Sequence, residues 1–174
     1  MKKAFVGLGG NIGDSCSILG QALKHIEQLS GVFELKVSSF YLTTPVGPIL
    51  QDHFVNAVCC FDTAYSATDL LTYLQNIEKL LGKVDKPKNA PRIIDLDLLF
   101  FDTEVHVTPR LQVPHPRWKE RLFVLTPLAD LVDELDVPSL DKKELVRVNL
   151  PQLLREFPNM HQETVSFLQE KIAI

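Results

Sequence analysis

Apolar positions along the first part of this chain fall into two strand–helix units with a strand between them. Ala4–Leu8 is a short apolar run ending at Gly9-Gly10, which reads as a buried strand entering a turn. Asp14 or Ser15 can cap a helix whose apolar residues Leu19, Leu23, Ile26 and Leu29 keep helical spacing, with Gly31 as its stop. Phe33, Leu35 and Val37 then alternate with Glu34, Lys36 and Ser38, predicting a strand that continues to Tyr41. The segment Thr43–Pro48 (TTPVGP) breaks it and opens a long loop.

A second β-run, Phe54–Phe61 (FVNAVCCF), precedes a helix capped by Ser66. Leu70, Leu74, Ile77 and Leu81 form that helix's apolar stripe, and Gly82 ends it. The polar segment GKVDKPKNAP leads into a strand over Arg92–Phe101. The order β-α-β-β-α-β predicts an α+β, ferredoxin-like core with a mostly antiparallel sheet and helices packed on one face. Beyond Asp102 the chain is richer in proline. A helix over Arg117–Leu125 and a short one capped by Asn149, with Pro151 in its first turn and its end near Phe157, are the expected additions. The last dozen residues read as strand or frayed helix. Without repeats or low-complexity segments, the 174 residues are expected to form one domain, 1–174.

Composition narrows the function classes. A net charge of −4 argues against broad binding to nucleic acid or anionic membrane. The charge is uneven, however. From Gly82 to Arg121 there are eight Lys/Arg against six Asp/Glu, and elsewhere ten against sixteen. Three cysteines, two of them adjacent in a β-run and so facing opposite sides, suggest a reduced, cytoplasmic protein. MKKAFVGLGG is a poor signal peptide, and no apolar run approaches the roughly 20 residues of a membrane span.

The candidate chemistry lies in PRIIDLDLLFF, from Pro91 to Phe101. On a strand, Asp95 and Asp97 project to one face with Cα atoms about 6.6–6.8 Å apart, while Ile94, Leu96 and Leu98 face the other way. Two carboxylates on so apolar a strand repel each other unless positive charge sits between them, and magnesium carrying a nucleotide phosphate is the first candidate. Arg92, three residues before Asp95, reads as ordinary surface charge or, beside a metal–phosphate site, as the group that neutralises developing oxyanion charge. Lys83 and Lys86 lie in a loop that can close on phosphate. On the run FVNAVCCF, Phe54 and Asn56 share a face with Val58 and Cys60, so a ring and a carboxamide together can stack on and read a flat heterocycle. Gln75 and Glu78, one turn apart and off the apolar stripe of the second helix, read as surface residues. Around two prolines, RLQVPHPRWKER (Arg110–Arg121) clusters basic side chains with His115. The glycine segment GLGGNIGD has neither the P-loop Lys-Ser/Thr nor G-x-G-x-x-G spacing, and reads as a tight strand-to-helix turn.

Five motifs in order resemble the 6-hydroxymethyl-7,8-dihydropterin pyrophosphokinase family. They are GGN at Gly9–Asn11, SSFYLTTPVGP at Ser38–Pro48, the pair Phe54 and Asn56, PRIIDLDLL at Pro91–Leu99, and the stretch from Val113 (VPHPR) to Leu128. The resemblance implies a ferredoxin-like fold and transfer of the pyrophosphoryl group of ATP to the pterin hydroxymethyl oxygen, with release of AMP. It implies Asp95 and Asp97 as ligands of two Mg2+ ions, and Arg92 as the arginine on the transferring phosphates. Thr43, Thr44 and Val46 would line the pterin edge, Asn56 would bond the ring, and Phe54 and Phe123 would stack on it. Gln75, Glu78, Leu98, Arg110, Gln112, His115 and Arg121 would bind the nucleotide. Lys83 stands where many members carry arginine, and Asn89-Ala90 where many carry Trp-Gly. A metal-dependent phosphohydrolase and a catalytically silent binding domain are the alternatives on the same fold.

Overall fold

The computed structural model describes residues 1–45, 50–85, 90–139, 144–158 and 164–169. Strand β1 (Lys2–Gly10) runs into a turn where Gly13 takes φ +73°, a conformation that costs glycine nothing. Helix α1 (Ser15–Glu27) is capped by Asp14, whose carboxylate accepts from the Ser17 amide at 3.1 Å. Strands β2 (Val32–Val37), β3 (Phe40–Thr43) and β4 (Phe54–Thr63) follow. Helix α2 (Ala67–Leu80) has Ser66 as its cap and Gly82 at φ +93° beyond its end. Strand β5 (Asp95–Phe101) carries the aspartates, and β6 (His106–Val107) pairs with β7 (Gln112–Val113). Then come α3 (Leu122–Ala129), β8 (Glu134–Pro138) paired with β9 (Leu145–Asn149), α4 (Leu150–Arg155) and β10 (Val165–Gln169).

The main sheet runs β10-β3-β4-β1-β5, with β2 also on β4, and every pairing is antiparallel. Because β2 and β3 share one edge of β4, the first hundred or so residues form the expected β-α-β-β-α-β unit. The alternation in β1 divides the interior. Ala4, Val6 and Leu8 pack with Leu19, Leu23, Leu70 and Leu74 of α1 and α2. Phe5, on the other face, packs with Val58, Cys60, Trp118, Leu125 and Leu128. Cys59 and Cys60 therefore face opposite sides, and all three cysteines are free. Helices on one face describes α1 and α2 only, since α3 and α4 cover part of the opposite face.

A bulge between Phe5/Val6 of β1 and the facing stretch of β5 puts both Leu99 and Phe100 on the second face, while Leu98 and Phe101 stay with the helical layer. The predicted strand from Phe33 to Tyr41 is in fact two strands. Glu34 sits at φ +53° within a register shift, so Val32 is buried and Phe33 is exposed. At the break after Val37, the Ser38 hydroxyl accepts from the Val58 amide at 3.0 Å and keeps the ladder satisfied. The helix expected over Arg117–Leu125 is likewise interrupted. A single 3₁₀ turn, Trp118–Glu120, precedes α3, and Arg121 between them is extended. Asn149 caps α4 as its sequence predicts, accepting from the Gln152 amide at 2.8 Å. Of the two readings of the C-terminus, Val165–Gln169 takes the strand form. Among the described residues no helix is long and apolar enough to cross a membrane.

Candidate active site

On the second face of the sheet, α3 and its neighbours cover Phe5 but leave the Gly7–Gly9 end of β1 open. A cavity of about 140 Å³ lies there. Thr43, Thr44, Phe54, Asn56, Arg92, Asp95, Asp97, Arg121 and Phe123 line it, so the structure brings these candidate residues together. Gly7 and Gly9 form its floor, directly opposite Asp97 and Asp95 in the β1–β5 ladder. A Cβ on Gly9 would meet Asn56 Oδ1 at 2.5 Å, so glycine there makes room for the carboxamide. Asn56 is buried, and its Nδ2 donates to Thr43 Oγ1 at 2.6 Å. That bond fixes which end of the carboxamide is committed to the protein.

Each aspartate meets a cation. Asp95 accepts from Lys83 Nζ at 2.8 Å and pairs with Arg92 Nη1. Asp97, half exposed, pairs with Arg121 Nη1 at 3.4 Å, and the same guanidinium lies over the Phe123 ring at 5.4 Å. Glu78 departs from its predicted surface position. Its side chain is buried, and Oε1 accepts from Lys83 Nζ at 2.8 Å and from the Leu96 amide at 2.6 Å. Burial pushes the Glu78 carboxyl above its usual range, against the bonds from Lys83 and Leu96. Burial works against the Lys83 ammonium too, but its bonds to Asp95 and Glu78 outweigh it and raise its pKa. One cation shared by two carboxylates does not fully offset the burial of Glu78, whereas Lys83 gains from both of its partners.

The remaining predicted nucleotide residues lie off the cavity, beyond the β5 edge. Arg110 Nη2 donates to Gln75 Oε1 at 3.3 Å and to Thr72 Oγ1 at 3.1 Å, joining the β6–β7 turn to α2. Gln112 is exposed on β7. His115 donates its backbone amide to the Leu99 carbonyl at 2.8 Å, and its Nδ1 accepts from the Arg117 amide. Burial, then Arg121, holds the His115 imidazole below the usual histidine value; burial also lowers Arg121, with Asp97 opposing. Leu98 presents only its backbone on the cleft side of β5. Its side chain is buried in the helical layer. Val46, Lys86 and Asn89 lie outside the described residues.

Sequence reasoning missed the floor. Gly7 and Gly9 read as a turn, although their spacing puts both on one strand face. It also gave Asn11 no role. This buried side chain donates to Gln51 Oε1 at 2.9 Å and to the Asp52 carbonyl at 3.0 Å, and accepts from the Arg92 amide at 2.9 Å. It thereby ties the end of β1 to the segments entering β4 and β5. A polar residue after paired glycines was the available signal.

Residues 5–133 match the family described as 7,8-dihydro-6-hydroxymethylpterin-pyrophosphokinase (HPPK). The chain is 42% identical over 133 residues to 2-amino-4-hydroxy-6-hydroxymethyldihydropteridine pyrophosphokinase of Bacillus subtilis, covering 76% of this chain and 80% of that one. To the enzyme of the same name from Pseudomonas aeruginosa it is 38% identical over 158 residues, covering 91% and 93%. Among solved structures, an HPPK-DHPS of Plasmodium falciparum superposes with a TM-score of 0.67 at 15% identity. The match covers 89% of this chain and 45% of that longer one, and it supports the fold alone. With the family match over residues 5–133 running from within β1 past the end of α3 and taking in the residues that line the cavity, the chain belongs to the 7,8-dihydro-6-hydroxymethylpterin-pyrophosphokinase family.

Proposed function

We propose that the β1–β4–β5 cleft is where this chain performs its family's reaction, with the pterin against Phe54, Asn56 and Phe123 and the ATP phosphates over Asp95 and Asp97. The chain is an ATP-dependent pyrophosphokinase of folate biosynthesis, transferring the pyrophosphoryl group of ATP to hydroxymethyldihydropterin. The observation that carries the placement is the β1–β5 register. It sets two carboxylates beside a side-chain-free floor, with the ring-and-carboxamide wall of β4 on the other side of that floor.

The donor set fits magnesium. Asp95 and Asp97 offer hard oxygen ligands, and no group of three or more His, Cys, Asp or Glu able to hold a metal occurs among the described residues. A site with two carboxylates and no protein cage suits an ion that completes its octahedron with substrate phosphates and water. Bound there, two Mg2+ ions would neutralise and orient the triphosphate.

The protein's own contribution is positional. Phe54 and Phe123 sandwich the pterin, and Asn56, held by Thr43, bonds the ring edge. Thr43 and Thr44 line that edge. The pterin alcohol oxygen attacks the β-phosphorus, the bond to the AMP oxygen breaks, and the alcohol proton is released. Lys83, Arg92 and Arg121, which pair with carboxylates of the cleft, can exchange those partners for phosphate oxygens. Gln75, Glu78, Arg110, Gln112 and His115 take the nucleotide end, with Glu78 acting through Lys83. Lys83 does as a point charge what a fork of arginine donors would do. Three free cysteines support a reducing, cytoplasmic setting for a protein that acts as one domain.

An assay for AMP with pterin alcohol, ATP and magnesium omitted in turn tests this reading. AMP is expected only when all three are present. Orthophosphate release without pterin would instead mark a phosphohydrolase, and nucleotide binding without turnover a silent domain.

A further inference from the structure

We infer that the C-terminal strand β10, which lies beyond residues 5–133 of the family match, is a working part of the pterin wall rather than an appended edge. The inference rests on the placement of the pterin against Thr43 and Thr44. Val165 pairs with Thr43 in the β10–β3 ladder, and at the ladder's end the Thr44 amide donates to the Thr164 carbonyl at 3.1 Å. The return bond is unusual, because the Thr164 amide donates to the Thr44 side-chain Oγ1, at 2.9 Å, rather than to its carbonyl. Thr44 therefore has both its amide and its hydroxyl held by Thr164, the residue that leads into β10. Among the described residues of the 43–53 segment, Thr43, Thr44 and Gln51 line the cavity.

Without β10, the stretch that carries Thr43 and Thr44 would be paired on the β4 side alone, at Tyr41, Leu42 and Thr43. Thr44 would have no ladder partner. The bond from Asn56 to Thr43 would then rest on a strand end free to move, and with it the orientation of the carboxamide that reads the ring. β10 is thus a positioning element. It acts on the pterin through two residues of the wall, Thr43 and Thr44, that line the cavity.

Thr164→Pro removes the amide that donates to Thr44 Oγ1, and proline at the entry to an edge strand is tolerated, so the fold should survive. The expected result is a rise of about tenfold in KM for the pterin, with KM for ATP and Tm nearly unchanged and faster amide exchange at 42–44. Thr164→Ala keeps the backbone donor and should behave as the unmutated protein. Pterin affinity unchanged in Thr164→Pro despite faster exchange would overturn the inference, as would equal losses for pterin and ATP. Phe54→Ala, on the facing strand, is measured alongside. If it weakens pterin binding and Thr164→Pro does not, β10 alone is wrong. If Phe54→Ala leaves binding intact, the pterin placement has failed and the inference with it. Should Thr164→Pro not fold, exchange in the unmutated protein decides: pterin added to protein saturated with a non-hydrolysable ATP analogue should slow exchange across 164–169, and no added protection would overturn the inference.

Discussion

The two faces of β1 are built from the same backbone to opposite ends. Toward α1 and α2 it presents Ala4, Val6 and Leu8, each 2% exposed or less, and these join a continuous apolar core. Toward the cleft it presents Phe5, Gly7 and Gly9, and only Phe5 is packed over. Strand alternation makes the two sets independent, so one face can hold stability while the other gives up side chains to make room. The lesson is that the cleft is not a gap left by poor packing. It is floored by a strand whose opposite side is fully packed, and the carboxylates of β5 stand on that rigid base.

Damage to the helical face should cost stability first. Phe61, fully buried among the residues under α1 and α2, is expected to lose about 3–5 kcal/mol of unfolding free energy as Phe61→Ala, read by urea unfolding, with KM values of the folded fraction little changed. Damage to the cleft should do the reverse. Asp97 is half exposed and holds one ion pair at 3.4 Å, so Asp97→Ala should leave Tm nearly intact while kcat falls roughly 10²–10³-fold in the AMP assay. Near-normal turnover would refute its metal-binding role.

The floor itself separates two smaller effects. Gly9→Ala drives a methyl to within 2.5 Å of Asn56 Oδ1, so pterin KM should rise by about tenfold or more as the carboxamide is displaced. Gly7→Ala meets only the Leu99 side chain, at 3.5 Å, an ordinary contact. It should raise pterin KM a few-fold at most and, by stiffening the unfolded chain, stabilise by about 0.4–1 kcal/mol. A floor glycine whose replacement stabilises the fold and weakens binding would make the contrast between the faces sharpest. Equal losses of both in Gly7→Ala would blur it.

Much of this was legible in the chain. Both helices follow from their periodic apolar stripes, with Ser66 as one cap and Asp14, of the candidates Asp14 and Ser15, as the other. The apolar runs gave the strands at Ala4–Leu8 and Phe54–Phe61, and the one expected over Arg92–Phe101 begins only at Asp95. The reading slipped where a single residue breaks the period. Glu34 at positive φ turns Phe33 outward, and extended Arg121 splits a helix that composition would have continued. Glu78 looked like surface because its helix position is off the apolar stripe. The start of β5, which supplies the Leu96 amide, and Lys83 are what bury and satisfy it.

By itself the sequence determined the candidate residues for the chemistry and the order of elements that holds them, since motif spacing and side-chain alternation are local properties of the chain. Only the tertiary structure decided which of those residues share one cleft. It set Gly7 and Gly9 opposite the aspartates, paired each carboxylate with its cation, and brought Thr164 from the far end of the chain onto Thr44. Those relations depend on strand register across long separations, which no local pattern encodes.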